Sequence, residues 1–218
     1  MLKAVLFDMD GVIVDTEPLH CKAYYQMFDA VNISVSDALY ESFTGQSTIN
    51  ICRQLCQLFN LTETPGTLVQ LKRDFFKELF FNDDSLTLIE GVLELIREYY
   101  AHGITLVLAS SASMTTINNV FNRFHLNPYF ISKLSGADLK ASKPHPEIFI
   151  NAAKASGFLK SECIVIEDST NGIAAANAAD IYCVGFKSPH SKNQDYTHAD
   201  KIISSFNEIK YDKAIELI

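Results

Sequence analysis

Four short runs of apolar residues constrain the fold of this chain more than any other feature of its sequence. Each run is rich in branched or aromatic side chains and is bounded by polar residues or glycine: residues 4–7, 104–109, 163–166 and 182–186. Runs that are apolar throughout, without alternation, are typical of parallel strands buried on both faces. The sequence therefore predicts a parallel sheet with helices on both sides.

Helical spacing marks the segments between these runs. Apolar residues recur every three or four positions in two stripes: Val92, Leu95, Ile96 and Tyr99, and Ile117, Val120, Phe121 and Phe124. Residues 172–179 are rich in alanine, which also favours a helix. Strands that alternate with helices predict the α/β class, with a doubly wound parallel sheet.

The segment from about residue 18 to residue 86 has helical spacing and no convincing strand. Its two apolar stripes are Cys52, Leu55, Cys56 and Phe59, and Leu68, Leu71, Phe75 and Leu79. The dipeptide Pro65-Gly66, between the stripes, predicts a turn. We therefore expect an all-helical domain over residues 16–87, inserted into an α/β core made of residues 1–15 and 88–218.

The charge and cysteine content exclude several classes of protein. The chain has 18 basic and 26 acidic residues, a net charge of −8, which argues against a nucleic-acid-binding surface. Its five cysteines include no Cys-x-x-Cys pair, so we expect reduced thiols rather than a disulfide framework or a zinc site. The first apolar run ends at Asp8, too early for a signal peptide, and no run approaches a membrane span. We expect a soluble, cytoplasmic protein.

Asp8 and Asp10 are the first candidates for a chemical role. They follow the first predicted strand, and ligands of α/β sheets bind beyond the carboxyl ends of strands. Two carboxylates at i and i+2 of an extended segment share a face and repel each other unless they share a cation or a proton. The pair suits Mg²⁺, which takes a few carboxylates and completes its shell with water and phosphate. The alternative is a solvated acidic turn.

Hydroxyl groups and a lysine follow in the second half of the chain. Ser110 and Ser111 end the second apolar run, where they can bind phosphate oxygens or, with Ser113, merely cap the next helix. Lys143 precedes a proline, which keeps it out of helical conformation. It can offer a point charge to a phosphate, or it can be an ordinary surface lysine.

Two adjacent acidic residues, Glu167 and Asp168, end the third apolar run. Carboxylates at the end of a strand again suit a metal ion. The alternative is that Asp168 or Ser169 caps the helix that follows.

These residues form an ordered set: Asp-x-Asp, then Ser, then Lys, then Glu-Asp. Four motifs in this order resemble the haloacid dehalogenase-like superfamily of phosphotransferases, and the resemblance covers essentially the whole chain. Segments 8–20, 143–149 and 167–173 are similar to the branch that contains β-phosphoglucomutase and small sugar-phosphate phosphatases. The resemblance implies a Rossmann-like α/β core with an inserted helical cap domain.

The resemblance also implies a mechanism of phosphoryl transfer. Asp8 would be the nucleophile that forms an aspartyl-phosphate, and Asp10 would be the general acid and base. Mg²⁺ would be held by Asp8, by the backbone carbonyl of Asp10 and by Asp168, with Glu167 supporting the metal shell or binding directly. The transferring phosphoryl group would be held by Ser110, Ser111 and Lys143.

Within the inserted domain, the resemblance implies hinge and substrate-binding positions. In this branch the cap closes over the site, excludes water and reads the substrate. The matching positions are Thr16, His20, Gly45, Gln46 and Lys72. His20, at a helix start, could equally be a surface residue, and Lys72 could lie on a solvated, charged helix face.

The chain departs from this family pattern at two places. Hexose-phosphate mutases of the branch carry an arginine just after the glycine of the first cap turn, where this chain has Gln46, and its first arginine is Arg53. Without the bidentate grip of arginine on a second phosphate, water is favoured as the acceptor, although Lys72 or Arg53 could compensate. Asp180 stands where the family usually has glycine, and since aspartate tolerates left-handed backbone we expect the turn to persist.

We therefore expect a Mg²⁺-dependent phosphatase for a small organic phosphate, with β-phosphoglucomutase or a related mutase as the alternative. A dehalogenase needs no metal and would leave Asp10 and Asp168 without a role, and a receiver domain would not need the helical insertion. A catalytically silent binding protein stays open in principle. The expected partner is a small phosphate ester, with no nucleic acid and no membrane, and the expected state is a monomer. The substrate itself depends on which cap residues face inward, which the sequence does not show.

Overall fold

The chain forms two compact units in the computed structural model, which describes residues 1–43, 46, 48–83, 85–139, 141–188 and 193–218. The first, the α/β unit, comprises Met1–Asp15 and Leu88–Ile218. The second, the helical unit, comprises Thr16–Thr87. Each unit has its own core of buried apolar side chains.

Four helices build the helical unit: α1 (Glu17–Ala30), α2 (Asp37–Glu41), α3 (Thr48–Leu58) and α4 (Pro65–Asn82). The two predicted stripes face inward at Cys52, Leu55 and Leu68, which are fully buried. They pack with Met27 and Phe28 of α1. The helical spacing of this segment thus reflects a core of its own, because a helix hides its apolar stripe against neighbouring helices.

The turn predicted at Pro65-Gly66 is wrong, because both residues belong to the first turn of α4. Thr64 is the N-cap residue, and its hydroxyl accepts a hydrogen bond of 3.2 Å from the Thr67 backbone N–H. Proline fits the first helical position, since its missing N–H has no partner within the helix there. Pro-Gly therefore starts a helix here instead of turning the chain.

The α/β unit contains a six-stranded sheet in which every strand pair is parallel. Its strands are β1 (Ala4–Phe7), β2 (Thr105–Ser110), β3 (Phe130–Ser135), β4 (Cys163–Glu167), β5 (Tyr182–Phe186) and β6 (Lys201–Ile203). Their order is β3-β2-β1-β4-β5-β6, so the direction of winding reverses between β1 and β4. In such sheets the point of reversal opens a crevice at the carboxyl ends of the strands, where ligands bind.

Helices flank this sheet: α5 (Val92–Ala101), α6 (Met114–Arg123), α7 (Glu147–Ser156), α8 (Thr170–Ala178) and the short α9 (Tyr211–Ala214). Alternate strand residues, among them Leu6, Val107 and Val165, form one core with residues of α7 and α8. The residues between them, such as Phe7 and Leu108, are buried as well. The predicted α/β class with a parallel sheet is confirmed.

Two edge strands, β3 and β6, were not among the predicted runs. In β3, Ile131 is 62% exposed and Lys133 is partly exposed, so the strand lacks a continuous apolar run. β6 has only three residues, too few for a recognisable pattern. Strands at the edge of a sheet have one open side, and their sequences are therefore less apolar than those of central strands.

The backbone of Asp180, the state of the cysteines and the length of the helices complete the description of the fold. Asp180 adopts a left-handed conformation, with φ 58°, so the turn expected at this position persists. All five cysteines are free thiols, with Cys21 and Cys56 partly exposed and the others buried. In the described ranges no helix is long and apolar enough to cross a bilayer.

Candidate active site

The acidic motifs meet where β1 and β4 lie side by side. Phe7 of β1 is in register with Ile166 of β4, and the Asp8 backbone N–H donates to the Ile166 carbonyl at 3.0 Å. Asp8 follows β1, Glu167 ends β4, and Asp168 comes next. All three are buried, with 6%, 1% and 7% of their surfaces exposed. The sheet topology thus concentrates carboxylates at its point of reversal.

Lys143 joins these motifs through its ammonium group. Its Nζ donates to Asp8 Oδ1 at 2.5 Å, to Glu167 Oε1 at 2.8 Å and to the Ala109 carbonyl at 3.1 Å. An ammonium has three N–H donors, and all three are used. The Lys143 side chain is only 7% exposed, so the alternative of an ordinary surface lysine is excluded.

Burial and mutual attraction set the charges of this cluster. Burial raises the pKa of Asp8 to about 7, an effect that Lys143 opposes and that Glu167 and Asp10 reinforce. Burial by itself lowers the pKa of Lys143, but Asp8 and Glu167 more than offset this, and the net direction is upward. Lys143 therefore stays positively charged beside the carboxylates.

Two glycines let the carboxylates approach the backbone. Gly11 has a left-handed φ of 81°, and a Cβ built on it would lie 2.0 Å from Asp168 Oδ2. A Cβ on Gly172 would lie 1.7 Å from Glu167 Oε1. Any side chain at either position would occupy space that the carboxylate fills, so both glycines belong to the site geometry.

Glu167 is further oriented by the start of α8. Its Oε2 accepts hydrogen bonds from the Ser169 backbone N–H at 2.8 Å and from the Ser169 hydroxyl at 2.9 Å. Ser169 is the N-cap residue, since its Oγ accepts from the Gly172 N–H at 3.1 Å. Of the two caps considered for this helix, Ser169 is the one that forms.

The donor set suits a hard divalent cation by its chemistry, although its side chains, as the structure describes them, are not arranged around one. Asp8, Glu167 and Asp168 supply carboxylate oxygens, the ligands that Mg²⁺ takes, and Asp10 lies in the turn after β1, where it bridges to Val14. In the residues that can be described, no group of three or more His, Cys, Asp or Glu is arranged as a metal site. The Lys143 ammonium instead joins Asp8 and Glu167.

The serines after β2 differ from one another. Ser110 is fully buried, and its Oγ accepts a hydrogen bond from the Ala112 N–H at 3.1 Å. Ser111 is exposed. The helix cap is Ser113, whose Oγ accepts from the Thr116 N–H at 3.3 Å. The capping alternative therefore holds for Ser113, and Ser110 is left as a buried hydroxyl beside the acidic motifs on the neighbouring strand.

In the helical unit, the structure brings His20 and Lys72 together. Lys72 is only 5% exposed, so the alternative of a solvated face is wrong, and its Nζ lies 2.6 Å from His20 Nδ1. The His20 ring stacks on Phe76 at a centroid distance of 4.2 Å. Burial, with the charge of Lys72, lowers the pKa of His20 to about 3. Burial also lowers the pKa of Lys72 to about 8, although Glu17 opposes this.

The other three positions predicted in this unit are Thr16, Gln46 and Gly45, and the first two form hydrogen bonds within the unit. Thr16 is buried and precedes α1, where its carbonyl accepts from the His20 N–H at 3.0 Å. Gln46 Oε1 accepts from Gln54 Nε2 at 2.6 Å. Gly45 lies outside the described residues.

One residue near the carboxylates was not among the sequence candidates. The hydroxyl of Tyr196, a residue only 8% exposed, donates to the Asp168 backbone carbonyl at 2.8 Å. Burial, with the charges of Asp168 and Glu167, raises the pKa of this phenol to about 12, so it stays protonated as a donor. Tyr196 lies in a loop without periodicity, and no sequence signal marks it.

Comparisons with known proteins identify a family for this chain. Residues 5–186 match the family model of haloacid dehalogenase-like hydrolases. Hexitol phosphatase B of Escherichia coli is 26% identical over 207 residues, which cover 94% of this chain and 93% of that protein. The phosphorylated carbohydrates phosphatase of Thermotoga maritima is 28% identical over 184 residues, covering 83% of this chain and 82% of the relative.

Among solved structures, the chain resembles a β-phosphoglucomutase from Clostridium difficile. The TM-score is 0.74 with 28% identity, and the match covers 100% of this chain and 97% of the other. This structural match extends over both units, since it covers the whole chain.

Proposed function

The chain belongs to the haloacid dehalogenase-like hydrolase family, and we propose that it is a Mg²⁺-dependent phosphatase acting through an aspartyl-phosphate. Its substrate class would be small phosphate esters such as sugar phosphates. The contact of Lys143 with both Asp8 and Glu167 carries this proposal. It joins the carboxylates to a permanent positive charge where the sheet reverses, the place at which a phosphate would have to be held.

The names of the relatives support the substrate class. Hexitol phosphatase B and the phosphorylated carbohydrates phosphatase are both named for removing phosphate from carbohydrate-like molecules. A small phosphate ester also suits an acidic protein of net charge −8, because the local charge at the site comes from Lys143 and a bound cation.

Asp8 would begin the reaction as the nucleophile. One of its carboxylate oxygens attacks phosphorus, a P–O bond to the aspartate forms, and the bond to the ester oxygen breaks. Asp10, the general acid, gives a proton to the departing oxygen. Lys143 holds the phosphoryl oxygens by charge, and Ser110 and Ser111 complete the phosphate-binding loop.

The second half-reaction returns the enzyme to its starting state. Asp10, now deprotonated, removes a proton from a water molecule, and that water attacks the phosphorus of the aspartyl-phosphate. Inorganic phosphate leaves and the Asp8 carboxylate is restored.

Asp8, the backbone carbonyl of Asp10, Glu167 and Asp168 would hold Mg²⁺. When bound, the cation neutralises negative charge on the phosphoryl group. Gly11 serves this set by leaving space for Asp168 beside the backbone.

We assign substrate selection to the helical unit as a cap, through the residue set Thr16, His20, Gly45, Gln46 and Lys72. The pairing of Lys72 with His20 supports this role. A buried ammonium that lies against a neutral imidazole, and whose charge Glu17 compensates only in part, suits an anionic or polyhydroxylated substrate.

A hexose-phosphate mutase is the second candidate, and the similarity to a β-phosphoglucomutase favours it. A mutase needs a second phosphate grip. Arg53, which could supply one, is exposed and donates to Asn50 Oδ1 at 2.9 Å. With Gln46 after the glycine in place of an arginine, water is the better acceptor.

A panel of phosphate esters, assayed with Mg²⁺ for release of inorganic phosphate, tests the proposal. We expect turnover of sugar phosphates, and loss of several orders of magnitude in Asp8→Asn. Unchanged activity in that variant would refute Asp8 as the nucleophile. Isomerisation of β-glucose 1-phosphate with glucose 1,6-bisphosphate, if much faster than phosphate release, would establish the mutase instead.

A further inference from the structure

We propose that Tyr196 is a positioning residue for Asp168, fixing the orientation of this carboxylate for a divalent cation. The inference rests on the proposed function only in taking Asp168 as a metal ligand. It adds a residue that lies 28 positions further along the chain and outside all four motifs.

The contact that carries the inference is a buried hydrogen bond. The Tyr196 hydroxyl donates to the Asp168 backbone carbonyl at 2.8 Å, and both residues are buried. This bond fixes the peptide plane that follows Asp168. Because the Asp168 carboxylate lies against Gly11, where a Cβ would be 2.0 Å away, a small rotation of its backbone would move it out of place.

The sheet makes room for the tyrosine ring through a glycine. A Cβ on Gly185 of β5 would lie 3.1 Å from Tyr196 Cδ1 and 2.9 Å from the Ala199 Cβ. Both approaches are closer than ordinary van der Waals contact. The missing side chain at Gly185 therefore lets the ring lie close to the sheet while its hydroxyl reaches Asp168.

The residues beside Tyr196 hold the same turn from its outer side. Gln194 Oε1 accepts hydrogen bonds from the Thr170 N–H at 2.9 Å and from its hydroxyl at 3.0 Å. In return, the Thr170 Oγ1 accepts from the Asp195 N–H at 2.8 Å. Residues 194–196 thus bind residues 168–170 at several points, and Tyr196 is the buried one.

A fixed carbonyl next to a metal ligand acts as an outer support of the site. Removing such a partner typically weakens metal affinity by about 10- to 100-fold without removing any ligand. We therefore expect Tyr196→Phe, which deletes only the hydroxyl, to weaken Mg²⁺ binding by about tenfold.

Tyr99→Phe is a matched control. The Tyr99 hydroxyl also donates to a backbone carbonyl, that of Ile209, and Tyr99 is fully buried. It is not part of the acidic cluster. Each variant loses one tyrosine-to-carbonyl hydrogen bond, so both are expected to lose similar stability, and only Tyr196→Phe is expected to change Mg²⁺ affinity.

The test is a calorimetric titration of Mg²⁺ into the full chain and the two variants, with thermal unfolding as a check on folding. The proposal requires an affinity about tenfold weaker in Tyr196→Phe and unchanged in Tyr99→Phe. In a phosphatase assay of Tyr196→Phe, the Mg²⁺ concentration for half-activation should rise. The accompanying fall in kcat at saturating Mg²⁺ should be a smaller fold-change.

Three results would overturn the inference in distinguishable ways. Equal Mg²⁺ affinity in the unsubstituted chain and Tyr196→Phe removes the role of Tyr196 and leaves the proposed function standing. An equal loss in both variants shows a general effect of stability. An unsubstituted chain that binds no Mg²⁺ removes the metal premise itself. Weakened binding in Tyr196→Phe alone supports the inference even if no phosphate ester is turned over.

Discussion

Each unit of this protein buries a lysine side chain, and the two lysines have opposite surroundings. Lys143 of the α/β unit donates to two carboxylates, Asp8 and Glu167. Lys72 of the helical unit lies 2.6 Å from the neutral imidazole of His20, and 5.0 Å from the ring centres of Tyr24 and Phe76. The pKa of Lys143 is raised, whereas the pKa of Lys72 is lowered to about 8.

The difference shows what burial does to a lysine that hydrogen-bonds two carboxylates and to one that lies against an imidazole and aromatic rings. Burial lowers the pKa of both lysines, because the charged form loses its hydration. Two carboxylates in direct contact reverse this effect at Lys143, while the charge of Glu17 opposes it only in part at Lys72. Lys143 thus stabilises the carboxylates around it, and the charge of Lys72 is held at a cost in stability.

Lys143→Met should have the largest effect. Removing the ammonium leaves Asp8 and Glu167 buried without a counter-charge, which should lower the free energy of unfolding by about 4 kcal/mol. Phosphatase activity should fall by about 10³-fold or more, because the charge that holds the phosphoryl group is lost. Urea unfolding and steady-state kinetics measure the two effects.

Lys133→Met is the control for this change. The Lys133 ammonium donates to Asn118 and Asn127, which are uncharged, and we expect a loss below about 1 kcal/mol. If the two substitutions were equally destabilising, the charged pairing at Lys143 would not be the reason for its importance.

Gly11→Ala comes next, with Gly66→Ala in the helical unit as its counterpart. A Cβ at Gly11 would clash with the Asp168 carboxylate in a left-handed backbone, so we expect a loss of about 3 kcal/mol and of most activity. A Cβ at Gly66 would meet only Thr64 Oγ1 at 3.7 Å, inside the first turn of α4. That substitution should stabilise the chain by about 0.5 kcal/mol. Thermal unfolding of both variants would show opposite signs.

His20→Gln should change the response to acid. The pKa of His20 is about 3 in the folded protein against 6.5 ordinarily, so the unfolded chain binds more protons between these values. Stability is then lost as the pH falls below 6.5, by on the order of 2 kcal/mol at pH 5. When unfolding is measured from pH 7 to pH 4, the free energy of unfolding of the variant should lack the loss that His20 causes.

His102→Gln, at an exposed histidine of the α/β unit that stacks on Tyr211, is the control for the loss of one histidine side chain. An unchanged slope in His20→Gln would mean that folding does not lower the pKa of His20. Lys72 would then not lie beside an imidazole that stays neutral in acid, and its environment would differ from that of Lys143 in another way.

Lys72→Met should have a small effect on the free energy of unfolding, opposite in sign to that of Lys143→Met. Between pH 8 and 10.5 the unfolded chain binds the proton that folded Lys72 has released, so stability rises with pH in this window. Below pH 8 both forms are charged and the full penalty is present. Below pH 8 the variant should be more stable than the unsubstituted chain by about 1 kcal/mol. Its stability should not show the increase between pH 8 and 10.5. Destabilisation at pH 7 would show that Glu17 and the aromatic rings compensate the charge fully.

The central strands and the order of the motifs could be predicted because they are local patterns. Continuous apolar runs identified β1, β2, β4 and β5 to within one residue at either end. The edge strands β3 and β6 could not be found, since exposure on one side removes the apolar run. The turn predicted at Pro65-Gly66 is wrong because the same dipeptide can start a helix or turn the chain, and the Thr64 cap decides which.

What the sequence determined by itself is the class of the fold, the division of its helices and strands, and which residues carry charge at the ends of strands. Only the tertiary structure decided which charges meet. Lys143 is 135 positions from Asp8, and Lys72 is 52 positions from His20. The contacts of Tyr196 with Asp168, and of both lysines with their partners, depend on packing across such separations. Periodicity reports on neighbours within a helix or strand, whereas burial and pairing of a charge arise only once distant segments exclude water together.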